Sequence, residues 1–405
     1  MYLSFQMMLK DTNQKRIESI DVLRGIVMVI MALDHVRDYF HVTANVDNPL
    51  NLATTTPALY FTRWITHFCA PVFAFLSGTS IYLQSLKKTK KELSSFLIKR
   101  GLWLIFAEIV IIAFAWTFNP FYNFIPLQVI WAIGISMVIL GLIIHLPFYL
   151  VLALGMLIVF GHNMLDAAEA SPDYQPGFWK DLLHHGFFSL YQFAPNHFVA
   201  IVYPFLPWTG LMMLGYCAGV YFVPHFSAVR RKQMLTLIGV LLIVLFIALR
   251  YFNIYGNPRP WSDQSNPMLN FFSFMDVQKY PPSLLYLCAT IGPALILLAL
   301  LENIKNGFTA FIRTFGRVAF FYYVLHIYLI HLIAVICFFA KGHSMEDAIR
   351  SAPTLPFMFV IPGEGYSLPV VYLIWLLVVL LLYPLCRKYD RYKSSHKDKW
   401  WLSYI

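Results

Sequence analysis

The chain has 405 residues, of which 59% are hydrophobic and only 12% charged, with a formal net charge of +10. Its mean hydropathy is +0.64 and its pI about 9.2. A soluble domain carries roughly 25% charged residues, so the composition excludes soluble globular domains, disorder, collagen, coiled coil, a secreted disulfide scaffold and a conventional nucleic-acid binder. It points instead to an all-α fold, a polytopic bundle of transmembrane helices.

Lys10, Lys15 and Arg16 precede the first long apolar run with no small-residue cleavage site after it. Segment 1–19 therefore reads as a cytoplasmic N-terminal stretch rather than a signal peptide. Apolar runs of about 17–25 residues suit helices that cross a bilayer. Ten are predicted, at about 20–40, 60–85, 101–118, 126–145, 147–162, 200–223, 234–252, 281–301, 318–338 and 367–386. Leu146 and Pro147 join the fourth and fifth as a tight hairpin. With both termini in the cytoplasm, 21 Lys and Arg fall in cytoplasmic segments. Five fall outside, namely Lys180, Arg259, Lys279, Lys341 and Arg350, while Arg24, Arg37, Arg63 and Arg250 lie in or at the ends of helices. That asymmetry follows the positive-inside rule and accounts for the high pI without an acidic partner.

The longer outer loops, about 41–59, 163–199, 253–280 and 339–366, are rich in Pro, Asn, aromatics and His. They read either as a vestibule or as plain connections. Residues 387–405 form a basic tail whose Tyr389, Tyr392, Trp400, Trp401 and Tyr404 suit anchoring at the inner leaflet. No internal repeat is evident, and residues 1–405 read as a single membrane domain. The five cysteines, Cys69, Cys217, Cys288, Cys337 and Cys386, lie in apolar runs without metal or redox spacing and read as small buried hydrophobes.

Ionisable groups within a bilayer are costly unless paired, and so mark candidate sites. The first two helices concentrate them. Arg24 and His35 are 11 residues apart, which places them on one helix face about 16.5 Å from each other. Asp34, Asp38 and His41 fall on one stripe, and His35 and Asp38 are i, i+3 neighbours. Arg63 and His67 are i, i+4 in the second helix. If the two helices pack as a hairpin, these groups converge at one depth near the outer face. A His held by a carboxylate makes a general base near neutral pH. The bland alternative is a set of ion pairs that merely neutralise one another at the interface.

Weaker candidates are Glu108, read as a proton site or a structural pair, and His326 and His331, about 140° apart on one helix and unsuited to share a metal. The lysine run after the second helix reads as positive-inside topology. Ser77, Gly78, Thr79 and Ser80 suit close helix packing or the approach of a cofactor tail.

The opening Ile20-Asp21-Val22-Leu23-Arg24-Gly25 resembles the start of the heparan-alpha-glucosaminide N-acetyltransferase-like membrane family. The stretch from Ala70-Pro71-Val72-Phe73 to Ser77-Gly78-Thr79-Ser80 resembles that family's second helix. Matches to its bacterial members continue through Tyr203-Pro204 to Pro207-Trp208, Lys279-Tyr280-Pro281-Pro282, Gly316-Arg317 to His326, and Trp400-Trp401-Leu402-Ser403-Tyr404. The Arg24 to His35 spacing is also similar to a signature of the acyltransferase-three family, where that His is regarded as catalytic.

The resemblance implies a bacterial inner-membrane enzyme. It would move an acyl group, acetyl foremost, from cytoplasmic acyl-CoA to a sugar amine or hydroxyl on the far side. Under it His35 is the base, Asp34 or Asp38 orients it, Arg63 stabilises the oxyanion, and His67 completes the catalytic set. Arg24, Ser77, Gly78 and His326 are cofactor-side candidates, and His41 and Lys279 are acceptor-side candidates. No metal is expected. The chain departs from the family's lysosomal enzyme, which has an Asn at the position of His35, an acidic residue at that of His67, and its catalytic His in the loop between the first two helices. His41 is the nearest candidate to that loop here. Expected partners are membrane lipid, acyl-CoA and a glycan or amino-sugar acceptor; a homodimer is left open and nucleic acid is not expected. The alternatives weighed are a proton-coupled transporter of a sugar or lipid-linked intermediate and a non-catalytic membrane scaffold.

Overall fold

A computed structural model describes residues 17–351 and 357–404, so Lys10, Lys15 and Arg16 lie outside the described residues. The first helix, α1 (Glu18–Phe40), is unbroken. Helix α2 (Pro57–Ile65) leads through a 3₁₀ turn at Thr66–Phe68 into α3 (Cys69–Ser85). Pro71 explains part of that irregularity. It has no N–H for the carbonyl four residues back, and that carbonyl, of His67, accepts the Tyr286 hydroxyl at 2.7 Å. Helix α4 (Lys90–Ala107) passes through a π turn at Glu108–Ile112 into α5 (Ala113–Thr117). Phe118, at φ 46°, ends it.

Next come α6 (Val129–Ile143), α7 (Phe148–Gly161), the short α8 (Leu165–Glu169) and α9 (Phe178–Lys180), then α10 (Leu206–Ala218) and α11 (Ala228–Phe252). Helices α12 (Pro267–Met275), α13 (Leu284–Leu301), α14 (Gly307–Arg317), α15 (Ala319–Ala340), α16 (Met345–Ser351) and α17 (Leu368–Ser395) complete the bundle. Helix occurs at all ten predicted positions. Among the described residues, six stretches are long and apolar enough to cross a membrane: Pro57–Ser85, Phe148–Glu169, Ala228–Phe252, Leu284–Leu301, Ala319–Ala340 and Leu368–Ser395. Of the other predicted spans, α6 and α10 have 15 and 13 residues, and α1 carries Asp21, Arg24, Asp34, Arg37 and Asp38.

The all-α expectation needs one correction. Strands β1 (Phe124–Leu127), β2 (Ser189–Ala194) and β3 (His197–Ile201) form a small sheet in the order β1-β3-β2. Strand β3 runs parallel to β1 and antiparallel to β2. The Pro195–Asn196 turn, with Asn196 at φ 59°, reverses the chain. The predicted span at 200–223 therefore begins in a strand, and its helix starts only at Leu206.

Helix α1 is the hub. It packs on α3, α13, α14, α15 and α17, and Trp375 of α17 donates to the Val29 carbonyl at 2.8 Å. Small residues allow the tightest crossings. A Cβ on Gly316 would sit 1.8 Å from the Asp21 carbonyl oxygen, and one on Gly25 2.1 Å from that of Ile312. Gly78 and Gly215 bring α3 against α10 in the same way. At the periphery, Leu237, Val240, Leu241, Val244 and Ile247 of α11 and Leu373, Leu376, Leu377, Leu380 and Leu381 of α17 are exposed. Apolar stripes of this extent belong against lipid rather than water. The five cysteines are free, four of them buried.

Candidate functional site

At the C-terminal end of α1, acidic and basic side chains alternate in one buried network. Arg37 reaches Asp34 at 2.9 Å and Asp38 at 2.5 Å, and Arg63 of α2 reaches the other Asp34 oxygen at 2.6 Å. Asp34, Arg37 and Arg63 side chains are 15% exposed or less. Two carboxylates and two guanidiniums neutralise one another, which is what permits Asp34, Arg37 and Arg63 to sit away from bulk water, with the Asp38 side chain 36% exposed at the edge. The spacing therefore does bring α1 and α2 together through Asp34 and Arg63. Neither carboxylate bonds to His35; both are engaged by arginines.

Beside this network lies a cavity with about 1260 Å³ of empty space. Asp34, His35, Arg63, Tyr203, Lys279 and Tyr280 are in its wall. Lys279 and Tyr280 precede α13, and the Tyr280 and Tyr203 hydroxyls are 3.3 Å apart. Burial opposes ionisation of Tyr280, but Lys279 and Arg63 outweigh it and hold the phenol below its usual range.

His35 bonds instead to another histidine. Its Nδ1 lies 2.7 Å from Nε2 of His326 on α15, and the rings are stacked. His326 Nδ1 is 3.0 Å from the Tyr322 carbonyl. A carbonyl only accepts, so His326 Nδ1 carries a hydrogen. In the neutral ring, its Nε2 then accepts from His35 Nδ1–H. That leaves the lone pair of His35 on Nε2, the nitrogen not tied to His326. A second imidazole, rather than a carboxylate, fixes the His35 tautomer. The Trp116 ring stands edge-on to His35, 4.7 Å between centroids.

The remaining predicted residues are dispersed. His67 is buried at 2% exposure, does not line the cavity, and its Nδ1 has no partner. His41 bonds to the Thr43 hydroxyl at 2.8 Å and lines a separate crevice with Lys341 and Glu364. His331 is spanned by the carbonyls of Ala115 and Met358, both at 2.9 Å. The Glu108 carboxylate accepts backbone N–H groups rather than a core cation, those of Gln128 and Trp131, both at 3.2 Å. It caps α6, whose first amides have no partner within the helix.

A second cavity, also with about 1270 Å³ of empty space, opens at the other end of α1. Arg24, Arg100, Arg317 and Lys393 line it together with Ser77 and Ser80. Arg24 donates to Ser80 Oγ at 2.9 Å and lies 3.3 Å from Asp21. Gly78 does not line the cavity; its bare face lies against the α10 backbone. His326, a cofactor-side candidate by sequence, sits at the His35 end. The two cavities share Phe73, Val129 and Tyr323 as a common wall.

Sequence reasoning missed the role of His326 toward His35, because 291 positions separate them. It also missed the basic set made by Arg100, Arg317 and Lys393, which looked like plain topology signals. Asp166 and Glu169 of α8 and His184 of the π turn at Asp181–His185 bring potential ligand atoms within 4.8 Å of one another. The i, i+3 spacing of Asp166 and Glu169 is the local sequence signal that could have found it.

No curated protein matches the chain. Residues 16–255 match the family model described as heparan-alpha-glucosaminide N-acetyltransferase, catalytic. That stretch contains α1 to α3, the Asp34–Arg63 network and His35, while Lys279 and His326 lie beyond it. With more than half of its length matched and its apolar helices suited to a bilayer, the chain belongs to the heparan-alpha-glucosaminide N-acetyltransferase catalytic family, as an integral membrane protein of acetyltransferase type.

Proposed function

We propose that the protein transfers an acetyl group from acetyl-CoA, bound at the end carrying Arg24, to an amine or hydroxyl of a sugar bound at the end carrying His35. The observation behind this reading is the pair of cavities meeting at Phe73, Val129 and Tyr323. Arg24, Arg100, Arg317 and Lys393 give the first cavity the charge that phosphates of CoA require. The second offers a His with a free lone pair, and hydroxyl and ammonium groups from Tyr203, Tyr280 and Lys279 for a polyhydroxylated acceptor. Arg24 and His35 sit about 16.5 Å apart along α1, a separation the extended pantetheine arm of CoA matches in kind. The positive-inside bias supports Arg24 on the cytoplasmic side and His35 outside, with ten spans and both termini inside.

In this reading His35 Nε2 takes the acceptor proton as the acceptor attacks the thioester carbonyl. His326 holds the ring, and its link to the Tyr322 carbonyl keeps the tautomer fixed. The Asp34–Arg37–Asp38–Arg63 network sets the floor of the acceptor cavity, and its paired charges contribute position rather than protons. The acceptor class follows the family, and the polar groups lining the His35-bearing cavity suit a sugar.

Acetyl-CoA at saturating concentration is expected to raise the unfolding temperature of the purified protein. Arg24→Ala and Arg317→Ala should abolish that rise without lowering the unliganded unfolding temperature by more than a few degrees. Stabilisation of equal size in both variants would refute the assignment of the basic cavity.

A further inference from the structure

Asp34 is neutralised by Arg37 and Arg63, Glu302 is paired with Arg231, and Glu108 is spent on the amides of α6. Asp166 and Glu169 are matched differently. They lie one turn apart on α8, partly buried, and the Glu169 side chain is 13% exposed. Among the described residues neither forms an ion pair with a Lys or Arg. His184, 1% exposed, reaches them instead, its Nδ1 standing 2.8 and 3.0 Å from the two Glu169 oxygens. Its far nitrogen, Nε2, is 2.9 Å from His162 Nδ1. His162 is 3% exposed and its own Nε2 has no partner, so its polar contact is spent on holding the His184 ring. Asn163, next in the same 3₁₀ turn, donates to Asp166 Oδ2 at 2.7 Å. Even with His184 protonated, two carboxylates and one imidazole carry a net negative charge. They sit at the end of an apolar stretch suited to a bilayer, where uncompensated charge is costly.

We infer that Asp166, Glu169 and His184 form a binding site for a divalent transition-metal cation, Zn²⁺ foremost. This departs from the expectation of no metal and does not rest on the acetyl-transfer reading. An imidazole with two carboxylates is a donor set for zinc rather than for Ca²⁺ or Mg²⁺, which take oxygen ligands. Bonds of about 2.0–2.2 Å place neighbouring ligand atoms of a tetrahedral ion roughly 3.3 Å apart, so a small opening of the His184–Glu169 contact admits it. On binding, a Zn–N bond replaces the N–H bond at His184 Nδ1, and the proton leaves to water. His184 Nε2–H then donates to His162 Nδ1 while Asn163 steadies Asp166, the kind of outer contact that orients metal ligands. Three protein ligands leave a fourth position for water. The ion would clamp α8 to the π turn at Asp181–His185. Asn163 Oδ1 also accepts the Leu284 N–H at 2.8 Å, which anchors the clamp on the first residue of α13.

The test uses the untagged full-length protein in detergent, stripped with EDTA and titrated with zinc chloride by isothermal calorimetry, with unfolding temperature as the second readout. Wild type is expected to bind one Zn²⁺ per chain and to gain several degrees. Asp166→Asn and Glu169→Gln preserve side-chain size. Each should unfold within a few degrees of the stripped wild type yet bind Zn²⁺ at least about 10-fold more weakly. His162→Phe keeps all three ligands and should weaken Zn²⁺ by about 10–100-fold, which a histidine that only packs would not do. His343→Ala, which removes a different histidine–carboxylate pair, should leave the titration unchanged. Equal Zn²⁺ affinity in wild type and Glu169→Gln, or binding lost in His343→Ala, overturns the site. So does a wild type that takes up no Zn²⁺, or one stabilised by Ca²⁺ instead; the trio is then a hydrogen-bonded clasp alone.

Discussion

A single nitrogen of His326 decides what His35 can do. The Tyr322 carbonyl forces the hydrogen onto His326 Nδ1, and the 2.7 Å contact passes the constraint to His35. Replacing His326 with Ala removes the acceptor for His35 Nδ1–H and frees the ring to rotate or change tautomer. Steady-state acetyl transfer should fall by about 10²-fold or more, within the general-base range. His326→Gln retains an acceptor oxygen and should recover a measurable part of that loss. Equal rates in the two variants would show that the contact is packing alone. The charged network makes a separate demand. Asp34→Asn leaves Arg63 and Arg37 partly uncompensated, and breaking a buried pair costs about 3–5 kcal/mol. The lower stability should be visible as a reduced unfolding temperature, while the rise that acetyl-CoA produces from the far end of α1 keeps its wild-type size. Asp34, Arg63 and His35 were legible because spacing within α1 and α2 places them on facing surfaces. His326 was not, since no local pattern links α15 to α1. His67 misled because i, i+4 spacing to Arg63 assumes an unbroken helix, and the 3₁₀ turn at Thr66–Phe68 intervenes.

Helices are legible where hydrophobic length alone decides. The six apolar stretches lie where the sequence puts them, and Ala228–Phe252 and Leu368–Ser395 simply run further into their polar flanks. Sequence is less informative where backbone pairing competes. Residues 198–201 are as apolar as the helix that follows, and only the alignment with Phe124–Leu127 makes them a strand. Helix α14 is likewise hidden in the sequence, being too short and polar for a span. It nevertheless holds α1 in place through Gly316. A Val at Gly316 must displace the α1 backbone at Asp21, since even its Cβ would lie 1.8 Å from that carbonyl. Overpacking of this kind costs about 1–3 kcal/mol, and it should also weaken acetyl-CoA stabilisation by shifting Arg24. Gly307, at the start of the same helix, faces open space: a methyl group added there would meet nothing within 4 Å. Gly307→Ala should therefore leave both quantities near wild type, and thermal unfolding of the two variants side by side checks the contrast.

Across the whole molecule, α1 joins two chemically different cavities: one lined by four cations, the other by His35 and a neutralised set of carboxylates and guanidiniums. Composition and loop charge made the membrane setting legible, but not the pair of cavities. Cavities arise from how α3, α4, α6, α14 and α15 pack around α1, and their shared wall of Phe73, Val129 and Tyr323 comes from three separate helices. The most direct test is sided transfer in sealed proteoliposomes. Labelled acetyl-CoA is supplied to the face carrying Arg24 and Arg317, and glucosamine is enclosed on the face carrying His35. Wild-type protein should form labelled N-acetylglucosamine inside, and His35→Ala should bind acetyl-CoA normally yet form product about 10²–10⁴-fold more slowly. Undiminished transfer by a folded His35→Ala protein, or product formed only on the acetyl-CoA side, would contradict a relay of acetyl groups along α1.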